Sequence, residues 1–138
     1  MTVFVDTSAI VALLSASDTH HADALAVWQS LLAEHARLIT TDLVLAEMVV
    51  VVRARAGYER SVQAGERLLE KPFELVWVDR PLMDEAWTLY RRYRDHELSL
   101  CDCVSFAVMR RRKVHTAFAY DDDFTAVGFT SASASSRG

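Results

Sequence analysis

Val3-Phe4-Val5-Asp6-Thr7-Ser8 is an apolar run that stops abruptly in a carboxylate and two hydroxyls. Consecutive β-branched and aromatic residues without polar alternation are the pattern of a strand buried on both faces. Residues 9–14 continue as an apolar helix. Asp6 therefore stands between the carboxyl end of a strand and the start of a helix. Ligands of open α/β sheets bind outside that end of the strands, so Asp6 is either a helix cap or the first residue of a site.

The same alternation continues along the chain. A polar link, 15–20, leads to a helix over 21–35 with Leu25, Trp28, Leu31 and Leu32 at helical spacing. A short strand follows at 37–40, and Thr40 or Thr41 can cap a helix that runs from near Asp42 to Gly57. Val49-Val50-Val51-Val52 favours a strand locally, but the cap and the Ala/Arg-rich end favour a helix. Residues 58–70 form a further helix ended by Pro72, and 73–78 a third strand. Asp79 caps a helix with Pro81 in its first turn and Leu82, Ala86, Leu89 and Tyr93 as its stripe. Ser99 opens a helix to about Arg112, 114–119 make a fourth strand, and a short fifth lies near 127–130. The pattern predicts a parallel α/β sheet covered on both faces, in one domain over 1–130. The Ser/Ala-rich tail, 131–138, is expected to lack a fold of its own.

With 138 residues and 51% hydrophobic content the chain can bury a sizeable core. A formal charge of −4 argues against a generally basic nucleic-acid coat but leaves room for local basic patches. Cys101 and Cys103 have no second pair for a zinc site or a disulfide framework, so both are expected as reduced thiols. Asp6 interrupts any N-terminal signal segment, and no apolar run approaches the ~18 residues of a membrane span. The expectation is a cytoplasmic protein with no membrane partner.

The remaining acids matter as a set. Glu47 lies in Leu43-Val44-Leu45-Ala46-Glu47-Met48-Val49, and on a helix it shares a face with Leu43 and Val51. It either marks the solvent edge of the stripe or is a buried carboxylate that needs a cation. Asp102 has nearly capping-box spacing from Ser99, yet Leu100, Cys101, Cys103, Val104 and Phe106 surround it. Asp121-Asp122-Asp123 is a solvated turn or, following a strand's carboxyl end as Asp6 does, part of the same edge. Asp6, Glu47, Asp102 and the Asp121/Asp123 pair could thus gather at one pocket. An all-oxygen set suits Mg²⁺ or Mn²⁺, which could orient water for attack on a phosphodiester.

At this point the chain resembles the PIN-domain nucleases, and among them the VapC toxins of type II toxin–antitoxin systems. The resemblance rests on Val5-Asp6-Thr7-Ser8, Leu45-Ala46-Glu47, Leu98-Ser99-Leu100-Cys101-Asp102, Ala119-Tyr120-Asp121-Asp122-Asp123-Phe124 and Gly128-Phe129. It implies a Rossmann-like three-layer α/β/α sandwich and a Mg²⁺- or Mn²⁺-dependent endoribonuclease. By position, Asp6, Glu47, Asp102 and Asp121 correspond to the family's acidic quartet. Asp6, Asp102 and Asp121 would ligate metal, with Asp123 a further ligand or the true fourth one. Ser8, and more weakly Thr116, would support Asp6 through their hydroxyls. The family often carries a basic residue or histidine between the positions of Asp121 and Phe124, where this chain has Asp122-Asp123.

The resemblance further implies an RNA substrate, a cognate antitoxin and a homodimer. Cations that could meet RNA are Arg53, Arg55 and Arg60, Arg91, Arg92 and Arg94, and Arg110 to Lys113. His20 and His21 read as surface loop residues, and Tyr58, Trp77 and Tyr93 as core packing that could also stack on bases. A housekeeping RNA-processing nuclease is the alternative within the family. A receiver-like signalling module is a different class. It would need an acidic pair after the first strand, a phosphorylatable Asp after the third, and a late lysine. Only Asp79 after the third strand fits.

Overall fold

In a computed structural model that describes residues 1–134, five strands form one wholly parallel sheet. The strands are β1 (Thr2–Val5), β2 (Arg37–Thr41), β3 (Phe73–Val76), β4 (Thr116–Phe118) and β5 (Thr130–Ser131). Seven helices connect them: α1 (Thr7–Leu14), α2 (His21–Ala33), α3 (Asp42–Ala56), α4 (Tyr58–Leu68), α5 (Arg80–Arg92), α6 (Leu100–Arg112) and α7 (Asp123–Ala126). The sheet order is β3-β2-β1-β4-β5. The chain steps outward from β1 to β3, then crosses back to lay β4 on the other side of β1. That reversal is a topological switch point, and the crevice above it is where such sheets take ligands.

Val3, Phe4 and Val5 are fully buried, as a central parallel strand requires. Val5 pairs with Phe118, and the Asp6 N–H donates to the Phe118 carbonyl at 3.0 Å. Asp6 and the residues after Phe118 therefore leave the sheet side by side.

The caps follow the side chains expected to make them. Thr41 accepts from the Val44 N–H at 3.1 Å, and Asp79 from the Leu82 N–H at 2.9 Å. The valine run is helical: Val44, Met48 and Val52 are buried along one row, and that burial outweighs the local strand preference. Gly57, at φ 95°, ends α3 in a conformation that side-chain-bearing residues rarely adopt.

Several boundaries move. The third strand stops at Val76, because the Val78 N–H turns to Asp42 Oδ1 at 3.2 Å instead of continuing the ladder. The fourth begins at Thr116, because Val114 N–H still bonds back to the Met109 carbonyl past a left-handed Lys113. The fifth begins later than expected and takes in Ser131, while the Ala132 N–H donates to the Ala117 carbonyl at 2.8 Å. The last four residues of the tail lie outside the described ones.

The short helix α7 was not expected. It is held by Phe124, which is 2% exposed and packs on Phe4, Phe106 and Phe129 with ring centroids 6.2, 5.0 and 6.5 Å away. No helix among the described residues is long and apolar enough to cross a membrane, and Cys101 and Cys103 are free. Asp79 is exposed and lies 3.8 Å from Arg111, so it serves α5 rather than the crevice.

Candidate active site

Of the five carboxylates that line one cleft of about 290 Å³, four come from distant points of the sequence to converge there: Asp6, Glu47, Asp102 and Asp121, with Asp18 as the fifth. Asp6 is brought there by β1, Glu47 by α3, Asp102 by the first turn of α6, and Asp121 by the turn after β4.

Asp6 is both a cap and a cleft residue. It is 3% exposed, and its Oδ2 accepts from the Ser8 N–H at 3.1 Å and the Ser8 hydroxyl at 2.7 Å. Burial pushes its carboxyl up to about 6; the Ser8 bonds oppose that rise, and the charges of Asp102 and Asp121 add to it. Ser8 Oγ also accepts the Tyr120 N–H at 3.0 Å, so one hydroxyl ties Asp6 to the segment that carries Asp121.

Asp102 likewise does two things. It completes a capping box, with its N–H on Ser99 Oγ at 3.0 Å and its Oδ2 accepting the Ser99 N–H at 3.1 Å. Burial is the main cause that raises its carboxyl above the ordinary range, and Asp121 and Glu47 raise it further.

Asp123, half-buried, does not line the cleft but adjoins Asp121 and Asp102. Its N–H donates to Asp121 Oδ1 at 2.9 Å, and an oxygen from each of Asp102, Asp121 and Asp123 lies within 4.8 Å of the others. A hydrogen bond shared with Asp121, then burial and the neighbouring charges, push the Asp123 carboxyl up to about 7. Asp102 and Asp121 thus belong to both groups, the converging four and this triad. The Cys101 thiol faces the same acids: burial first, then Glu47, Asp6 and Asp102, keep it protonated far above its usual range.

Thr116 does not join them. It pairs with Val3 at the start of β4, three residues before the level of Asp6, or roughly 10 Å away along the strand. The hydroxyl that does reach this end of β1 is Thr40, fully buried and donating to the Val5 carbonyl at 2.9 Å. Thr7 was also missed. Its Oγ1 is buried in the cleft wall and has no hydrogen-bond partner.

The arginines sort themselves. Arg53 lies over the Tyr58 ring at 5.1 Å, Arg111 pairs with Glu85 at 3.0 Å and Arg112 with Glu74 at 2.8 Å. Among the described residues, Arg55 is the one arginine or lysine that lines the acid cleft, together with Asp18, His20, Val51 and Tyr120. A second cleft of similar volume holds Trp77, Asp79, Arg111 and Arg112, but its arginines are already ion-paired.

An acid cleft at the switch point of a β3-β2-β1-β4-β5 parallel sheet has a clear counterpart among known proteins. The PIN-domain profile matches residues 3–130. The chain belongs to the PIN-domain family. It is 35% identical over 127 residues to the 23S rRNA-specific endonuclease VapC20 of Mycobacterium tuberculosis, covering 92% of this chain and 95% of that one. The crystal structure of that VapC20, described as a sarcin–ricin loop cleaving toxin, superposes with a TM-score of 0.83 at 33% identity, covering 93% of this chain and 96% of the other. A toxin–antitoxin complex from Klebsiella pneumoniae shares the fold at a TM-score of 0.65 and 14% identity, covering 96% and 98%.

The donor set of this PIN domain fits a hard divalent cation. It is all oxygen, and its carboxyls are raised by burial at Asp6 and Asp102, by the Asp121 hydrogen bond at Asp123, and further by one another's charge, costs that a cation offsets. The unpartnered Thr7 hydroxyl leaves a polar atom for a hydrated ion to satisfy.

Proposed function

We propose that this PIN domain, expected over 1–130 and carried by β5 through Ser131, is the endoribonuclease toxin of a toxin–antitoxin pair and cuts a structured loop of 23S rRNA. The observation that carries the reading is the convergence of Asp6, Glu47, Asp102 and Asp121 on one cleft at the switch point of the sheet. The rRNA target is carried over from the VapC20 relative.

Asp6, Asp102, Asp121 and Asp123 would hold Mg²⁺ or Mn²⁺, and the bound ion supplies charge neutralisation at the phosphate and a more acidic water. Ser8 fixes Asp6 through two hydrogen bonds and fixes the turn after β4 through a third. The Ser99 capping box holds Asp102. Glu47, half-buried on α3, accepts the proton of the attacking water at its carboxylate as that water's oxygen bonds phosphorus and the P–O bond to the leaving oxygen breaks, the leaving oxygen taking a proton from solvent. The acids exclude bare phosphate until a cation is present, so cleavage is metal-dependent by construction.

The partners follow the same reading: an antitoxin protein that covers the cleft, a second copy of the chain, and a cytoplasmic setting. The test is cleavage of purified 23S rRNA in Mg²⁺ and in Mn²⁺, with chelator as control and with Asp6→Asn and Asp102→Asn variants. Metal-dependent cuts absent from both variants support the reading. Equal cutting by folded variants overturns it. A small open reading frame directly upstream marks the toxin role, and its absence favours housekeeping RNA processing.

A further inference from the structure

His20, expected as a surface loop residue, lines the acid cleft and stacks on Tyr120, with ring centroids 4.3 Å apart and planes 14° from parallel. Both rings are held in place. The Tyr120 hydroxyl donates to Asp23 Oδ2 at 2.6 Å, and its backbone N–H is the one bound to Ser8. The His20 N–H donates to Asp18 Oδ1 at 2.8 Å, which shapes the loop that presents the imidazole. His20 is exposed, and among the described residues no second ring stacks on it.

Arg55 completes the arrangement. Glu47, Val51 and Arg55 follow one row of α3, and all three line the cleft. Eight residues of helix place Arg55 about 12 Å along α3 from Glu47, too far to crowd the acid cluster yet on the same wall. Five carboxylates line this cleft, namely Asp6, Asp18, Glu47, Asp102 and Asp121. Even so, Arg55 makes no ion pair among the described residues. It is a guanidinium at the mouth of an acidic cleft with its donors uncommitted.

We propose that the His20–Tyr120 stack and Arg55 form a nucleotide subsite beside the acid cluster, where the base of an unpaired RNA nucleotide stacks on the imidazole and a flanking phosphate meets the guanidinium. The subsite rests on the ribonuclease reading and adds to it which side chains grip the substrate. A pre-stacked ring loses little freedom when a base lands on it, and stacking tolerates any base. A guanidinium reaches phosphate with paired donors. An extruded loop nucleotide offers both groups, whereas a continuous RNA duplex does not expose the base face.

The test is single-turnover cleavage of a hairpin RNA carrying the sarcin–ricin loop sequence of 23S rRNA, in Mg²⁺ or Mn²⁺. Half-saturating protein concentration and plateau rate are measured separately for the parent, His20→Ala, His20→Phe, Arg55→Ala and Arg55→Lys. His20→Ala is expected to raise the half-saturating concentration about tenfold with the plateau rate within about threefold of the parent. His20→Phe, which keeps a stacking face, restores it. Arg55→Ala weakens saturation and lowers the salt slope of log affinity by about one, and Arg55→Lys recovers the slope. If the parent cuts the hairpin and both alanine variants saturate as it does, the subsite is wrong while the nuclease reading stands. Failure of His20→Phe to rescue overturns the stacking role. If the parent cuts no RNA with either metal, the nuclease reading falls and the subsite with it.

Discussion

Asp6→Asn should make the metal-free protein more stable while abolishing cleavage. Burial raises the Asp6 carboxyl from its ordinary 3.8 to about 6, so holding it ionised at neutral pH costs folding on the order of 3 kcal/mol. Asparagine has the same shape, caps a helix as well as aspartate, and carries no charge to desolvate. The Ser8 bonds to the charged form are already offset within that shift, so the net gain is about 3 kcal/mol at pH 7.5 in chelator, or roughly 8–15 °C in Tm for a chain of this size.

The sign with pH follows from the direction of the shift. The folded parent binds more protons than the unfolded chain between its two Asp6 values, so its stability falls as pH rises from about 4 to about 6 and stays low above. The Asn variant lacks that contribution, so the gap between the two should close as pH is lowered to about 4. Saturating Mg²⁺ or Mn²⁺ should reverse the order, because ligand binding stabilises the parent alone. Denaturant melts in chelator at pH 7.5, 6 and 4.5, repeated with metal, read all of this. A variant less stable than the parent at pH 7.5 in chelator, or a gap that ignores pH, refutes the account of Asp6 as a strained carboxylate.

Phe124→Ala removes the anchor of α7 and should cost about 3–5 kcal/mol, with a larger fractional loss of cleavage than of fold at low temperature, because Asp121 and Asp123 lose their support; chemical denaturation alongside cleavage checks it. Ser8→Ala deletes the hydroxyl that joins Asp6 to the Tyr120 N–H and should lower metal affinity about tenfold or more while costing about 1–2 kcal/mol, read by calorimetric metal titration. Asp123→Asn should retain the fold and raise the metal concentration needed for cleavage, whereas Asp121→Asn should abolish cleavage at any concentration. Equal effects of the two would place both carboxylates in one role.

Much of the fold and of the cleft is legible in the sequence. Val3 to Val5 announce a central parallel strand because only a strand buried on both faces can be apolar at every position. Glu47 and Asp102 stand out because each is a charge in an apolar context. What stayed hidden depends on tertiary placement. Thr116 looked useful because the strand's lower boundary could not be read; a two-residue shift at its start leaves that hydroxyl at the wrong height. The helix α7 escaped because an acidic run followed by one phenylalanine resembles a turn until the aromatic cluster that receives Phe124 is in view. His20 stays hidden because its stacking partner, Tyr120, lies 100 residues away, and Arg55, one of several candidate cations, has nothing local to set it apart from Arg53. The capping readings of Asp6 and Asp102 were not rivals of the site readings, since both carboxylates do each job at once.

The hydroxyl of Ser8 reaches across 112 residues to the Tyr120 N–H, and β1 has only β2 beside it until β4 is in place. During synthesis the chain therefore exposes Asp6, Glu47 and Asp102 long before the turn that brings Asp121 exists. A chain in which β4 has not yet docked on β1 holds three of the four acids and lacks the completed cleft.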